Sequence, residues 1–269
     1  MTSEERGKVE ALFDARQGKE LWPTGRVEHR AERLRPRQFQ FLRDQFPALY
    51  VPFGTIEWHE RHMPLGNDAL KAHGICLAVA KRVGGIVHPP VFWGIDSWRK
   101  LPNGNIRRGM DATCDFPLPG SVYQVADDTF RRLAGDIVTE ALRNDFLLVV
   151  LLTGHNARNQ EDTLREVAKL VNDASGRTQV LATNDWENAR TQYNWAGDHA
   201  GKWETTLMMG LHPDRVDMSE LPAPPEKLTA TGGIDPRGEA SELLGRECLT
   251  VIIDTLQGRV WELMAKLRT

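Results

Sequence analysis

One uninterrupted apolar run, FLLVVLL at residues 146–152, constrains the fold of this chain more than any other segment. A strand with one face in water alternates apolar and polar residues, so a run without polar residues indicates a strand covered on both faces. A second apolar run, ALYVPF at 48–53, ends at Gly54 and also indicates a buried strand. We therefore expect a sheet that lies between two layers of helices.

Segments of helical periodicity alternate with predicted strands along the chain. We expect helices near 68–83, 123–144 and 159–173, strands near 85–91 and 178–183, and an amphipathic C-terminal helix over 239–267. Alternation of this kind means parallel strands with helices on both faces. The sequence therefore predicts an α/β fold, a three-layer α/β/α arrangement around a mostly parallel central sheet.

The charged N-terminal part differs from the rest of the chain. Residues 1–45 are broken by Pro23 and Pro36 and are predicted to form a helical extension, although a solvated arm is an alternative. Residues 46–269 then form one domain, in which a proline-rich connector at 213–236 precedes the last helix. This division predicts two parts, at 1–45 and 46–269.

Composition excludes several classes of protein. A net charge of −3 over 269 residues leaves no basic footprint for a nucleic acid. No apolar segment approaches the roughly 20 residues that span a bilayer, and the N terminus does not look like a signal peptide. Cys76, Cys114 and Cys248 are scattered and odd in number, which favours a reducing compartment. We expect a cytoplasmic protein with a small-molecule substrate and no nucleic-acid or membrane partner.

Two carboxylates and an imidazole follow the first predicted strand. Glu57 and His59 are two apart in extended chain, so both can face a cavity beyond the carboxyl end of the strand, where α/β sheets bind ligands. Asp68 falls in the first turn of the next helix, where a carboxylate also suits the helix dipole. This combination indicates a metal site. The alternative is a capping Asp beside two exposed polar residues.

Two further segments supply candidate residues. His155 follows the second predicted strand directly, next to Gly154, which permits close approach of the backbone to a bound group. His199 and Glu204 are five apart, about 140° around an ideal helix, so they would not share a helix face. We place His199 on a loop and Glu204 in the first turn of a helix, from which both can point into one site.

These motifs resemble those of the creatininase family of creatinine amidohydrolases. The segment 57–68 matches the family's Glu-x-His pattern followed by His, Pro-Leu and Asp, and Gly154-His155 with Asn159 matches its Gly-His-x-x-Asn turn. The segment 199–205 matches its His-Ala-Gly-x-x-Glu-Thr signature. A Pro-Gly-Ser loop at 119–121 and the segment 233–246 add to the resemblance, which covers roughly residue 48 to the C terminus.

The resemblance implies a creatininase-like fold, two divalent metal ions per subunit and a homohexamer. It implies that Glu57, His59, Asp68 and His155 are metal ligands, with Asp68 bridging. The chain departs from creatininase at Ala157, where creatininase has a Glu that completes the second metal. Relatives without that Glu are expected to use the one in the His-Ala-Gly-x-x-Glu segment, so Glu204 is the fifth predicted ligand.

The predicted ligands and the implied two-metal centre together suggest a reaction. Imidazole and carboxylate ligands without thiolate suit zinc, manganese or iron(II). Two such ions can hold a hydroxide and polarise a carbonyl, as amide hydrolysis requires. We therefore predict a metal-dependent hydrolase that cleaves a C–N bond, in an amide, lactam or formamide, of a small polar metabolite.

His199, which is not assigned to a metal, is the predicted catalytic acid or base, because His titrates near physiological pH. The alternative is a loop His that is hydrogen-bonded to Asp198 or to the backbone. Two other functions stay open: a C–C bond hydrolase that opens a cyclic diketone such as a diketo-inositol, and a non-catalytic binding or assembly protein.

Overall fold

A four-stranded parallel sheet forms the centre of the chain. The computed structural model describes residues 2–12, 18–114, 116–122, 124–174 and 176–268. The strands, in chain order, are β1 (Ala48–Phe53), β2 (Ile86–Val87), β3 (Trp98–Lys100), β4 (Ile106–Arg108), β5 (Leu148–Thr153) and β6 (Gln179–Asn184). The central sheet has the order β2-β1-β5-β6, and β3 and β4 form a separate antiparallel hairpin.

Helices cover both faces of the central sheet. They are α1 (Ser3–Glu10), α2 (Pro36–Gln45), α3 (Asn67–Val83), α4 (Asp127–Arg143), α5 (Arg158–Ala174), α6 (Lys202–Leu211) and α7 (Glu242–Leu267). Across the described part of the chain, no helix is both long and apolar enough to span a membrane.

Alternate residues of β1 and β5 enter two separate cores. Tyr50 and its register partner Val150 pack with residues of α3, α6 and α7, whereas Val51 and Leu151 pack with residues of α2, α4 and α5. All six residues of each strand are buried, because each face of a strand has its own layer of helices. The predicted three-layer α/β/α fold with a parallel central sheet is therefore confirmed.

The strand predicted near 85–91 is much shorter in the structure. Strand β2 contains Ile86 and Val87, and the chain then returns to β1 at an isolated bridge between Val91 and Phe53. Pro89 and Pro90 lie between these two points, and a proline has no N–H to donate to a sheet. The prolines thus interrupt the pairing that the apolar pattern suggested.

The N-terminal part contributes to the core. One hydrophobic cluster joins this part to the sheet. It contains Leu21, Trp22 and, from α2, Leu42, together with Leu49 and Ile86 of the sheet. Residues 13–17 of the predicted extension lie outside the described residues. The division at 45/46 stays a prediction.

Two glycines allow α3 to approach the ends of two neighbouring strands. A Cβ at Gly54, after β1, would lie 2.2 Å from the backbone nitrogen of Ala69, and a Cβ at Gly154, after β5, would lie 2.2 Å from the backbone oxygen of Asp68. Non-bonded atoms do not approach a Cβ this closely, so a side chain at either position would displace the helix. The first turn of α3, with Asp68, therefore lies directly over the carboxyl ends of β1 and β5.

Candidate metal centre

The five predicted ligands meet at the carboxyl end of the sheet. Loops after β1 and β5 carry three of them, and the first turns of α3 and α6 carry the other two. All are nearly or fully buried, with exposures of 5% or less: Glu57, His59, Asp68, His155 and Glu204. Residues up to 147 positions apart in the chain are thus brought into one buried polar cluster.

Asp68 lies between two groups of possible ligand atoms. Its Oδ1 is 2.9 Å from His59 Nε2, and its Oδ2 is 3.1 Å from His155 Nδ1. Glu57 Oε1 lies 3.0 Å from the same His155 nitrogen, and Glu204 Oε2 lies 3.4 Å from His59 Nε2. Atoms that share a metal at about 2.0–2.2 Å lie roughly 3 Å from one another. The spacing therefore suits one ion in each group, with Asp68 reaching both.

Each histidine of the site has one ring nitrogen on a backbone carbonyl. His59 uses Nδ1, whereas His155 and His199 use Nε2. The accepting carbonyls belong to Glu57, Ile95 and Trp58, at 3.2, 3.2 and 2.7 Å respectively. A nitrogen that donates its proton to a carbonyl leaves the other nitrogen to carry a proton or bind a cation. Metal-binding histidines are typically held in this way.

Several buried carboxylate oxygens accept no hydrogen bond from a neutral donor within the described residues, although His155 Nδ1 lies close to two of them. They are both side-chain oxygens of Glu57 and Oδ2 of Asp68. A buried charged oxygen that lacks such donors is costly, and either a protonated His155 or a metal ion would satisfy these atoms. This observation, together with the mixed imidazole and carboxylate set, fits divalent metal ions.

The carboxylates control the protonation of the histidines. Burial alone would lower the pKa of His59, but the charges of Asp68, Glu204 and Glu57 outweigh burial and raise that pKa to about 9. The pKa of His155 also lies well above its ordinary value, because Glu57 and Asp68 outweigh burial there. Without metal, both rings are therefore protonated on both nitrogens at neutral pH and carry a positive charge.

We expect metal-free protein to lose thermal stability as pH rises from about 6.5 to 9. The folded pKa values of His59 and His155 are raised, so their stabilisation is complete below the unfolded value of about 6.5 and is lost as pH rises through the folded pKa. Melting curves in chelator across this range measure the effect. A metal ion must displace these protons, so metal affinity should rise over the same range. A metal-free melting temperature that increases with pH would contradict this assignment.

His199 lies at the open side of the cluster. Its side chain is 18% exposed, its ring stacks on His59 with centroids 4.5 Å apart, and its Nδ1 lies 3.7 Å from Glu57 Oε1. His199, His59 and Glu57 also form a group that could hold a metal ion. The hydrogen bond of its Nε2 to the Trp58 carbonyl matches the backbone-bonded alternative, while its Nδ1 still faces the site.

Three charged residues of the site, two of them fully buried and Asp96 partly buried, were not predicted from the sequence. Asp96, in the loop after β2, places Oδ2 3.6 Å from His155 Nε2 and forms a possible metal group with Glu57 and His155. Lys71 of α3 and Asp185, directly after β6, are fully buried behind Glu204. Both aspartates follow strands of the sheet, and that position was the available signal. The pattern of α3 gave no signal for Lys71.

Comparison with known proteins places the chain in a family. A creatininase family model, described as creatinine amidohydrolase, matches residues 32–256. Creatinine amidohydrolase of Pseudomonas putida is 25% identical over 246 residues, which cover 78% of this chain and 88% of that protein.

Solved structures agree in fold. A crystal structure of creatinine amidohydrolase superposes with a TM-score of 0.68 at 22% identity, covering 88% of this chain and 98% of that one. A creatininase variant complexed with creatine gives a TM-score of 0.68 at 21% identity, covering 88% and 99%. Because the family model spans most of the sequence, this chain belongs to the creatininase family of metal-dependent hydrolases.

Proposed function

We propose that this protein hydrolyses a C–N bond, in an amide, lactam or formamide, of a small polar metabolite. The observation that carries the proposal is a buried cluster in which Asp68 reaches His59 with one oxygen and His155 with the other, and in which Glu57 accepts no hydrogen bond from a neutral donor. A non-catalytic binding protein of this fold would be favoured by the loss of such ligands, and all five lie together here.

We assign two divalent ions to the two groups. Glu57 and His155, with Asp96 beside them, would hold one ion, and His59 and Glu204 would hold the other. Asp68 would bridge. Support comes from relatives of known structure, of which one is described as a Zn–Zn type and another as containing Mn. Bound ions of this kind supply a hydroxide at neutral pH and polarise the substrate carbonyl.

We assign proton transfer to His199. Its Nε2 hydrogen is held by the Trp58 carbonyl, so Nδ1 carries the lone pair and faces the cluster. Nδ1 can accept a proton from the attacking water and return it to the leaving nitrogen. The 18% exposure of the ring leaves it accessible to a substrate, whereas His59 and His155 are more deeply buried.

A polar cavity supports a second candidate function, although its walls contain neither His199 nor a predicted ligand. It has a volume of about 820 Å³ and adjoins the neighbours of His155 and His199 in sequence. Its walls include Asn156, Arg158, Glu161, Trp186, Glu187 and Asp198. Amide, carboxylate and guanidinium groups around an indole ring can bind a polyhydroxylated ring. Hydrolytic opening of a cyclic diketone, by C–C cleavage, is therefore the alternative.

A substrate screen tests the proposed bond type. Metal-loaded protein is incubated with lactams, formamides, creatinine and cyclic keto-polyols, and the products are read by a mass gain of one water. We expect a lactam or formamide to react, and creatinine to react poorly because Ala157 replaces the creatininase-type Glu and the charged Arg158 follows. Reaction of keto-polyols alone would establish C–C cleavage. Efficient turnover of creatinine would show that creatinine was wrongly excluded as a substrate. Metal-free protein is the control.

We propose that the subunits form a homohexamer, as the family resemblance implies. Large apolar side chains are exposed between β2 and α4, which supports an interface there: Trp93, Trp98, Ile106, Phe116 and Val122. Size-exclusion chromatography with light scattering should give a mass close to six subunits. A mass of one subunit at micromolar concentration would contradict the assembly.

We also propose a cytoplasmic location. Its support is the presence of three unpaired cysteines, of which Cys76 and Cys248 are buried. Fractionation of cells that express the native gene tests this location.

A further inference from the structure

Lys71 is fully buried and bonded to one predicted metal ligand. Its Nζ lies 2.7 Å from Glu204 Oε1 and 3.1 Å from Asp185 Oδ2. Lys71 follows Asp68 by three positions in α3, so the same face of this helix presents a carboxylate and an ammonium to the site. A buried ammonium is costly unless it is paired, and both of its partners are buried anions.

Asp185, which is not a predicted ligand, is the second anion that holds this ammonium. Its Oδ2 also accepts the indole N–H of Trp203 at 2.9 Å, and its Oδ1 accepts the side-chain N–H of Asn156 at 3.2 Å. Each oxygen of Asp185 therefore has a neutral donor, and Oδ2 also contacts Lys71. These contacts fix Asp185, and through it they fix the position of the Lys71 charge.

The two oxygens of Glu204 have different partners. Oε1 accepts from Lys71, whereas Oε2 accepts the backbone N–H of Ala200 at 2.9 Å and lies 3.4 Å from His59 Nε2. Lys71 thus holds the carboxylate so that Oε2 faces His59. At Ala157 the chain has no carboxylate, and this arrangement supplies one from α6 instead.

We propose that Lys71 acts as a built-in cation beside the second metal position. Lys71 keeps Glu204 in its ligand position in the metal-free protein. Its fixed positive charge lowers the affinity for the second metal ion relative to that for the first. The inference rests on the proposed two-metal function. Since like charges repel strongly at short range in a buried site, we expect the second equivalent to bind at least about tenfold more weakly than the first.

Titration of metal-free protein with Mn²⁺ or Zn²⁺, followed by calorimetry, tests this proposal. Wild-type protein should show a tight and a weaker equivalent. In Lys71→Met the weaker equivalent should tighten by about tenfold or more, because the Lys71 charge no longer repels the ion beside Glu204. Lys81→Met removes a charge from the exposed end of α3, about 15 Å along the helix, and should change neither equivalent.

Melting temperatures give a second readout. Metal-free Lys71→Met should melt about 6–15 °C below wild type, and saturating metal should restore most of the difference. If this variant does not fold without metal, Lys71→Met combined with Asp185→Asn removes the ion pair as a unit and is titrated instead.

The outcomes separate this inference from the proposed function. A wild-type protein that binds no divalent metal contradicts the two-metal function itself. A wild-type protein that binds two equivalents, with an unchanged or weakened second equivalent in Lys71→Met, overturns the role of Lys71 alone.

Discussion

Asp68→Ala is expected to remove most bound metal and nearly all activity. Asp68 is the residue whose two oxygens face the two ligand groups, so its loss takes one ligand from each ion at once. Elemental analysis of protein purified without chelator should show up to two equivalents in the wild type and less than one in the variant. Loss of ligand geometry and of the second ion should lower turnover by about 10³-fold or more.

Two controls make the Asp68 result specific. Asp136→Ala removes an exposed carboxylate of α4 and should leave metal content unchanged. Asp68→Asn keeps the side-chain shape but removes its charge, so it should retain less metal than the wild type and still fold. Metal content equal to that of the wild type in Asp68→Ala would refute the bridging role.

His199→Asn is expected to lower turnover by about 10² to 10⁴-fold while metal stays bound. The Asn side chain can still donate to the Trp58 carbonyl, but it cannot take up a proton as Nδ1 does. His73→Asn, in the middle of α3, is the matched control and should be active.

Two contrary results for His199→Asn have different meanings. Full activity would refute the role in proton transfer. Loss of one metal equivalent would instead identify His199 as a ligand, as its grouping with Glu57 and His59 permits.

The strands were predictable because burial on both faces leaves a direct mark in the sequence. Strand β1 has the predicted bounds. The run at 146–152 begins before β5, because Phe146 is buried in the core although it lies outside the strand. An apolar pattern reports burial, whereas a strand is defined by backbone pairing. The same distinction explains why Val91, beyond two prolines, belongs to no strand.

Site residues were predictable where they lie close to a strand end in sequence. Glu57, His59 and His155 follow β1 and β5 directly, and Asp68 and Glu204 begin helices that return to the same edge. The structure brings these five together, and their roles as ligands stay proposals.

Lys71 was not predictable for a physical reason. A lysine in an amphipathic helix normally faces solvent, and its burial here depends on Asp185 and Glu204, more than 100 residues away in the chain. The place of Asp96 in the site likewise depends on its contact with His155, 59 residues further along the chain. Partners of this kind are known only after folding.

The hairpin of β3 and β4 has a consequence for how this enzyme can diverge. It follows Asp96 by two residues and belongs to a different sheet from β1 and β5, the strands that precede Glu57 and His155. Directly after β4, a Cβ at Gly109 would lie 2.6 Å from Asp96 Oδ2, so the chain leaves the hairpin at the edge of the centre. Mutations in the hairpin can therefore change the wall of the site beside Asp96 without straining the central sheet. We therefore expect substitutions in the hairpin to change which substrate the site accepts while the residues that would hold the metal ions stay in place.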